Sequence, residues 1–190
     1  MTRHRGLLCA VLGLAAIGKA LWGEAEPWDL LGSDASAYWQ APWSLALAGA
    51  AIRIWGAGNL RKNKEVTRTG IYRMVRHPLY LGNCLIYMAF LVPLAGPLMG
   101  ALVSLGFLYL VHFPSVVREE ARLAREYPEE FAAVQGTPRF FPNLLVLPDA
   151  LTTDRFSFER VFRNYGLRGL WGPALLPVVT ELLAGLRHLL

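Results

Sequence analysis

Four long apolar runs, separated by short charged stretches, limit what this chain can become. The runs are Gly6 to Trp22, Pro42 to Leu60, Leu79 to Ala95 and Leu98 to Phe113. Each is close to the lower limit of about 17–25 residues for a helix that crosses a bilayer. Within lipid every backbone N–H and C=O must be bonded inside the protein, so apolar runs of this length are helices. The chain is 54% hydrophobic and 17% charged, against about 25% charge in an ordinary soluble domain. The expected fold class is an all-α integral membrane protein, with four core transmembrane helices and a cytoplasmic or interfacial C-terminal helical region. A basic start before a short apolar run also describes a signal peptide. No clean small-x-small cleavage site follows, so Gly6 to Trp22 reads as an uncleaved first span.

Charge sets the expected orientation. The formal net charge is +5, and Lys and Arg flank the apolar runs. Residues 3–5 and 61–76 are basic, whereas the 23–40 loop is acidic and has no Lys or Arg. Trp22, Trp28, Tyr38, Trp39 and Trp43 cluster around that loop as an outer aromatic belt. The basic segments therefore belong on the cytoplasmic side, in a bacterial-type inner membrane or an endomembrane. Membrane orientation and anionic headgroups account for the positive charge better than nucleic acid does. There is no zinc-ligand spacing, P-loop or GxGxxG pattern. Cys9 and Cys84 both fall inside apolar runs and read as buried thiols rather than a disulfide or a metal site.

Most of the polar chemistry sits in Tyr72-Arg-Met-Val-Arg-His-Pro-Leu-Tyr-Leu-Gly82. Pro78 disfavours helical geometry at His77 and suits the first turn of the next helix. His77 then stands at a helix entrance beside Arg76, where free N–H groups and the dipole favour an anion. The second polar cluster, Glu119-Glu120, follows the fourth run and comes back to the same membrane face. Neighbouring residues on a helix point about 100° apart, so one carboxylate can meet a ligand ammonium while the other pairs with arginine. Arg53 lies inside the second run and must snorkel or face a cavity. Gly56 and Gly58 permit either close helix packing or close approach of a ligand. Val116, Leu123, Tyr127 and Phe131 form an apolar stripe on the charged helix, which Pro128 should kink or divide.

The stretch Thr69-Gly-Ile-Tyr-Arg-Met-Val-Arg-His-Pro-Leu-Tyr-Leu-Gly82 resembles the Gly-x-Tyr-x-x-x-Arg-His-Pro-x-Tyr-x-Gly signature of the isoprenylcysteine carboxyl methyltransferase and phospholipid methyltransferase superfamily. Glu119-Glu-Ala-Arg-Leu123, Tyr127, Glu129-Glu-Phe131 and Pro138-Arg-Phe-Phe-Pro142 resemble that family's second block. The resemblance covers about residues 42–142 and implies an integral membrane methyltransferase that uses S-adenosylmethionine without a Rossmann fold. By the same resemblance, Tyr72, His77, Pro78, Leu79, Tyr80 and Glu119 would hold the cofactor, with Val66 and Thr67 contributing backbone. The phospholipid branch adds Gly56, Gly58 and Glu120. The implied acceptor is lipophilic and membrane-embedded, either an isoprenylcysteine-like carboxylate or a phospholipid-like amine. No metal is implied. The isoprenylcysteine branch has a substrate arginine four residues before the first glutamate. Here that position is Ser115, which leaves Arg118 and Arg76 as candidates to contact substrate.

On this reading residues 1–142 form the transmembrane methyltransferase core. Residues 143–190 form an interfacial arm or, less simply, a fifth span, and this arm is expected to shape the acceptor side of the site rather than the cofactor side. Glu130 is expected to lie outside the pocket. Two alternatives remain: a membrane reductase of the sterol-reductase type using NADPH, and a non-catalytic or heme-binding protein of the same fold.

Overall fold

The computed structural model describes residues 35–171 and 174, and every regular element among them is helical. Helix α1 spans Ala35–Asn59. A connection containing a single 3-10 turn, Gly70–Arg73, leads to α2, Pro78–Ala95. Gly96 then turns the chain into α3, Pro97–Phe107. The helix continues through a π-type stretch, Leu108–His112, into α4, Phe113–Glu126. Three short helices follow: α5, Pro128–Ala132; α6, Leu147–Thr152; and α7, Phe158–Arg163. Pro78, Pro97 and Pro128 each open a helix, where a missing N–H costs nothing. Pro128 thus divides the charged helix, as its position in the sequence requires.

The second, third and fourth apolar runs are helical, but four membrane spans do not emerge. Among the described residues one helix, Pro97–Glu126, is long and apolar enough to cross a membrane. The apolar part of α2, Pro78–Val92, is shorter. α1 is diluted by Arg53 and by alanine and glycine, and the first run lies outside the described residues. Leu98, Leu102 and Leu110 project from the long helix with 74%, 53% and 60% of their surface exposed, as suits a face turned to lipid.

α1 packs on α2, and α2 on α3. At the first crossing a Cβ on Gly49 would lie 2.7 Å from the Gly82 carbonyl oxygen, and the converse distance is also 2.7 Å. Only glycine lets the two backbones touch there. Cys84 is a buried free thiol, packed with Leu108, Val116 and Phe140. The apolar stripe of α4 and α5 closes inward: Leu123, Tyr127 and Phe131 meet Val66 and Val134.

The C-terminal arm docks on the end of α1. The last carbonyls of a helix have no partner within it, and here the arm supplies their donors. Asn164 Nδ2 donates to the carbonyls of Ala57 at 2.9 Å and Leu60 at 2.8 Å. The Ser157 N–H at 3.1 Å and Arg160 Nε at 2.7 Å both reach the Gly58 carbonyl. Asn59, buried at the helix end, accepts from the Arg155 N–H at 2.9 Å. Phe158 and Phe162 remain exposed on the outer face of α7. Residues 175–190, and with them the choice between a fifth span and an interfacial segment, lie outside the described residues.

Candidate active site

Two proline-bounded segments are laced together to build the site. The Arg76 N–H donates to the Pro138 carbonyl at 2.8 Å, and the His77 N–H to that of Arg139 at 3.1 Å. The Asn143 N–H returns to the Met74 carbonyl at 3.0 Å. His77 is held out of helical geometry by Pro78, at φ −124° and ψ 61°, so its N–H points sideways to a partner outside α2. The entrance of α2 is therefore fixed by a segment some sixty residues later in the chain.

Glu120 locks this entrance. It lies on α4, in the charged end of the long helix beyond its apolar stretch, and its side chain is 8% exposed. Arg139 grips it from Nε and Nη2, the latter at 2.8 Å; Arg76 Nη1 lies 3.1 Å away and His77 Nε2 3.1 Å. Burial pushes this carboxyl up, but the Arg139 and His77 hydrogen bonds and the Arg76 charge outweigh it, leaving the group below its ordinary range. Burial lowers the His77 pKa despite Glu120 and Glu119 nearby. A neutral ring facing a carboxylate places its proton on Nε2, which donates to Glu120.

A cavity of about 360 Å³ opens beside this lock, within the usual range of about 300–1,000 Å³ for small-molecule sites. Its wall includes Val66, Thr67, Tyr72 and Arg76 from the connection, then His77, Pro78, Leu79 and Tyr80 from the start of α2. Glu119 faces it from α4. Among the described residues Glu119 has no hydrogen-bond or ion-pair partner, whereas Glu120 is fully engaged. The two adjacent glutamates thus divide their work as helical geometry suggests. Burial, with Glu119 and Tyr80 nearby, pushes the Tyr72 hydroxyl well above its ordinary range, so it stays protonated. Arg76 Nε is buried without a hydrogen-bond partner among the described residues.

Four expected residues lie elsewhere. Gly56 packs its Cα against the side chains of Pro78 and Leu79, and Gly58 makes room for the Phe156 ring. Both glycines serve close packing rather than the cavity wall, because the arm and α2 occupy the space a ligand would need. Glu120 sits behind the wall, acting through His77 and Arg76. Arg118 is exposed and donates to Ser115 Oγ at 3.3 Å.

Sequence reasoning placed the arm beside the site but named none of its residues as cavity wall, and it gave Arg139 no role. Arg163, Asn164, Tyr165 and Arg168 line the cavity together with Arg53 and Asn83. Glu130 is not detached either: its Oε2 accepts from the Val66 N–H at 2.8 Å and so sets one wall. The legible signal was Arg53, a charge inside an apolar run, which does face the cavity.

A family model described as phospholipid methyltransferase matches residues 35–130. The cobalt-zinc-cadmium resistance protein CzcN of Cupriavidus metallidurans is 29% identical over 153 residues, covering 76% of this chain and 66% of that protein. The nickel-cobalt-cadmium resistance protein NccN of Alcaligenes xylosoxydans xylosoxydans is 31% identical over 147 residues, covering 76% of this chain and 67% of that protein. The chain spans about two thirds of the length of these curated relatives. No solved structure matches.

Proposed function

The chain belongs to the phospholipid methyltransferase family, and from that premise we propose that it transfers a methyl group from S-adenosylmethionine to a lipophilic acceptor held in the membrane. The observation that carries this reading is the cavity wall where unpaired Glu119 faces the Arg76-His77-Pro78 entrance. S-adenosylmethionine would supply an electrophilic methyl on a sulfonium, the acceptor's lone pair forming the new bond to carbon as the carbon–sulfur bond breaks and its electron pair stays on sulfur. The residues present fit it. Among the described residues Glu119 is an unpaired carboxylate, suited to an ammonium, and Arg76 Nε is a buried donor in want of an acceptor, suited to a carboxylate. Tyr80 offers an aromatic face to a cation or a base.

The protein's share of catalysis is positioning and exclusion of water. Glu120 holds Arg76 and the Nε2 proton of His77 in place; Arg139 holds Glu120. His77 is neutral here, so the positive charge at the entrance comes from Arg76 rather than from His77. The cavity is proposed to open to the cytoplasm, following the basic character of residues 61–76. The curated relatives are named for metal resistance; methylation of a membrane lipid is the chemistry proposed to underlie any such role in this chain.

Separate isothermal titrations of detergent-purified protein with S-adenosylmethionine, NADPH and heme test the reading. S-adenosylmethionine alone should bind, and Glu119→Gln should weaken it about ten- to hundredfold, the worth of about 1.5–3 kcal/mol for one charge-assisted hydrogen bond. Exposed Glu129→Gln on α5 is the control and should bind like wild type. Binding of NADPH or heme in place of S-adenosylmethionine would overturn the proposal.

A further inference from the structure

Inside the long helix Pro97–Glu126 lies a polar cluster that the site as described does not use. The π-type stretch Leu108–His112 ends on His112. π-type turns are rare and gather at functional sites, and an ionisable side chain within a membrane-crossing helix is itself a sign of function. The His112 ring stacks on Tyr87 of α2, with centroids 5.8 Å apart and planes 5° apart, and its Nε2 lies 3.1 Å from the Tyr87 hydroxyl. Its centroid is also 5.1 Å from that of Tyr80. Tyr80 and Tyr87, about two turns apart on α2, share a face. Tyr80 lines the cavity, so His112 stands behind a single ring of the wall.

The ionisable groups that meet His112 from α2 are Tyr80 and Tyr87. Beyond Tyr80 stands His77, with centroids 6.0 Å apart, and His77 is bonded to Glu120. In the 138–142 segment Arg139 lies 5.9 Å from the neighbouring Phe113 ring and is also held by Glu120. Glu119 faces the cavity itself. Histidine is the side chain that changes charge near neutral pH. The Tyr87 hydroxyl can donate to a neutral ring and accept from a protonated one, so the pair keeps its hydrogen bond in either state. Methyl transfer turns a cationic sulfonium into a neutral thioether. A cation one ring behind the wall is repelled before that change and tolerated after it.

We propose that His112, braced by Tyr87, is the proton-holding residue of the site, neutral while the cationic cofactor is bound and protonated once the sulfonium has become a thioether. This rests on the methyl-transfer reading and adds where the positive charge goes. The proton shed by a protic acceptor, as its lone pair takes the methyl carbon and the carbon–sulfur pair stays on sulfur, ends on the His112 imidazole. The total charge of the cavity and its wall is then the same before and after transfer. Protonated His112 also disfavours a fresh cationic cofactor until the proton has left.

The full chain in nonionic detergent is titrated calorimetrically with S-adenosylmethionine and with S-adenosylhomocysteine, which differ by the methyl group and its charge, between about pH 5.5 and 7.5. His77 stands at the entrance proposed for the amino-acid end, which both ligands share, so its titration cancels in the ratio of affinities. In the wild type S-adenosylmethionine should lose about tenfold against S-adenosylhomocysteine as pH falls across this range, because protonated His112 repels the sulfonium alone. His112→Gln should make the ratio independent of pH. Tyr87→Phe keeps the stacked ring but removes the acceptor for protonated His112, and should move the fall to lower pH. A wild-type ratio that does not change with pH would overturn the proposal. So would a ratio that keeps its pH dependence in His112→Gln, the mark of a residue that only braces Tyr80. Should His112→Gln fail to fold, Tyr87→Phe decides, and an unmoved pH dependence there overturns the proposal. Failure of the methyl-transfer reading is distinct: the wild-type chain would then bind neither ligand.

Discussion

At the scale of single residues, the pair Glu119 and Glu120 shows how neighbouring identical side chains acquire different tasks. Glu120 is buried and satisfied by Arg76, His77 and Arg139. Removing its charge while leaving the arginines in place should cost about 3–5 kcal/mol, the penalty for breaking a buried ion pair. Glu120→Gln should therefore show a clearly lower unfolding temperature, whereas Glu119→Gln should not. The same cluster sets a pH dependence. The His77 pKa is lowered by burial from an ordinary 6.5, so below that pH the unfolded chain takes up a proton that the folded chain refuses. Stability should fall from pH 6.5 downward and level off once the folded pKa is passed. The Glu120 contribution stands above an ordinary 4.5 and is lost as pH falls through its lowered folded value. Both effects have the same sign. Unfolding curves between about pH 4 and 8 should show His77→Gln abolishing the upper part of the decline and sparing the lower. A wild-type curve flat just below 6.5 would contradict a neutral, buried His77.

At the scale of elements, the arm and α1 are one unit. The sequence marks residues 143–190 as a polar and then apolar tail beyond the motif region, an arm for the acceptor side alone. The structure makes part of it the C-terminal cap of α1 and a wall of the cavity. Asn164→Ala leaves the Ala57 and Leu60 carbonyls without that donor and should cost about 1–3 kcal/mol. Gly166 allows a close approach: a Cβ there would stand 2.7 Å from that of Ala57. Gly166→Val should push the arm off α1, and limited proteolysis should then cut between α6 and α7 while the wild type resists. Truncation after Pro142 should lower the melting temperature and weaken ligand binding at the cavity, because it removes Asn164, Tyr165 and Arg168 from the wall. Glu130 is likewise unsuited as a silent control, since it holds the Val66 N–H.

At the scale of the whole molecule, the long helix Pro97–Glu126 joins an apolar half to a charged half, so the cavity lies at one end of the bundle and the Gly96 turn at the other. If the basic connection is cytoplasmic, a cysteine at exposed Pro97, beside the Gly96 turn, should react with a membrane-impermeant maleimide on intact spheroplasts, and one at Glu129 only after lysis, in a background with Cys9 and Cys84 replaced. The opposite labelling would reverse the proposed orientation. The sequence by itself determined the helices, because apolar run length and proline position act locally. It also determined the His77 entrance, because Pro78 constrains its neighbour whatever the fold. It located one side of the cavity wall, from Val66 to Tyr80, through a motif whose residues sit close together along the chain. Only the tertiary structure decided that Glu120 stands behind the wall and Glu119 on it, since burial and pairing depend on what α4 meets. Only the tertiary structure placed Arg139 on Glu120 and the Tyr165 carbonyl on Arg53, contacts between residues far apart in the chain. Such pairings leave no local pattern, because they are fixed by where unpaired helix carbonyls and buried charges find their partners after the helices have packed.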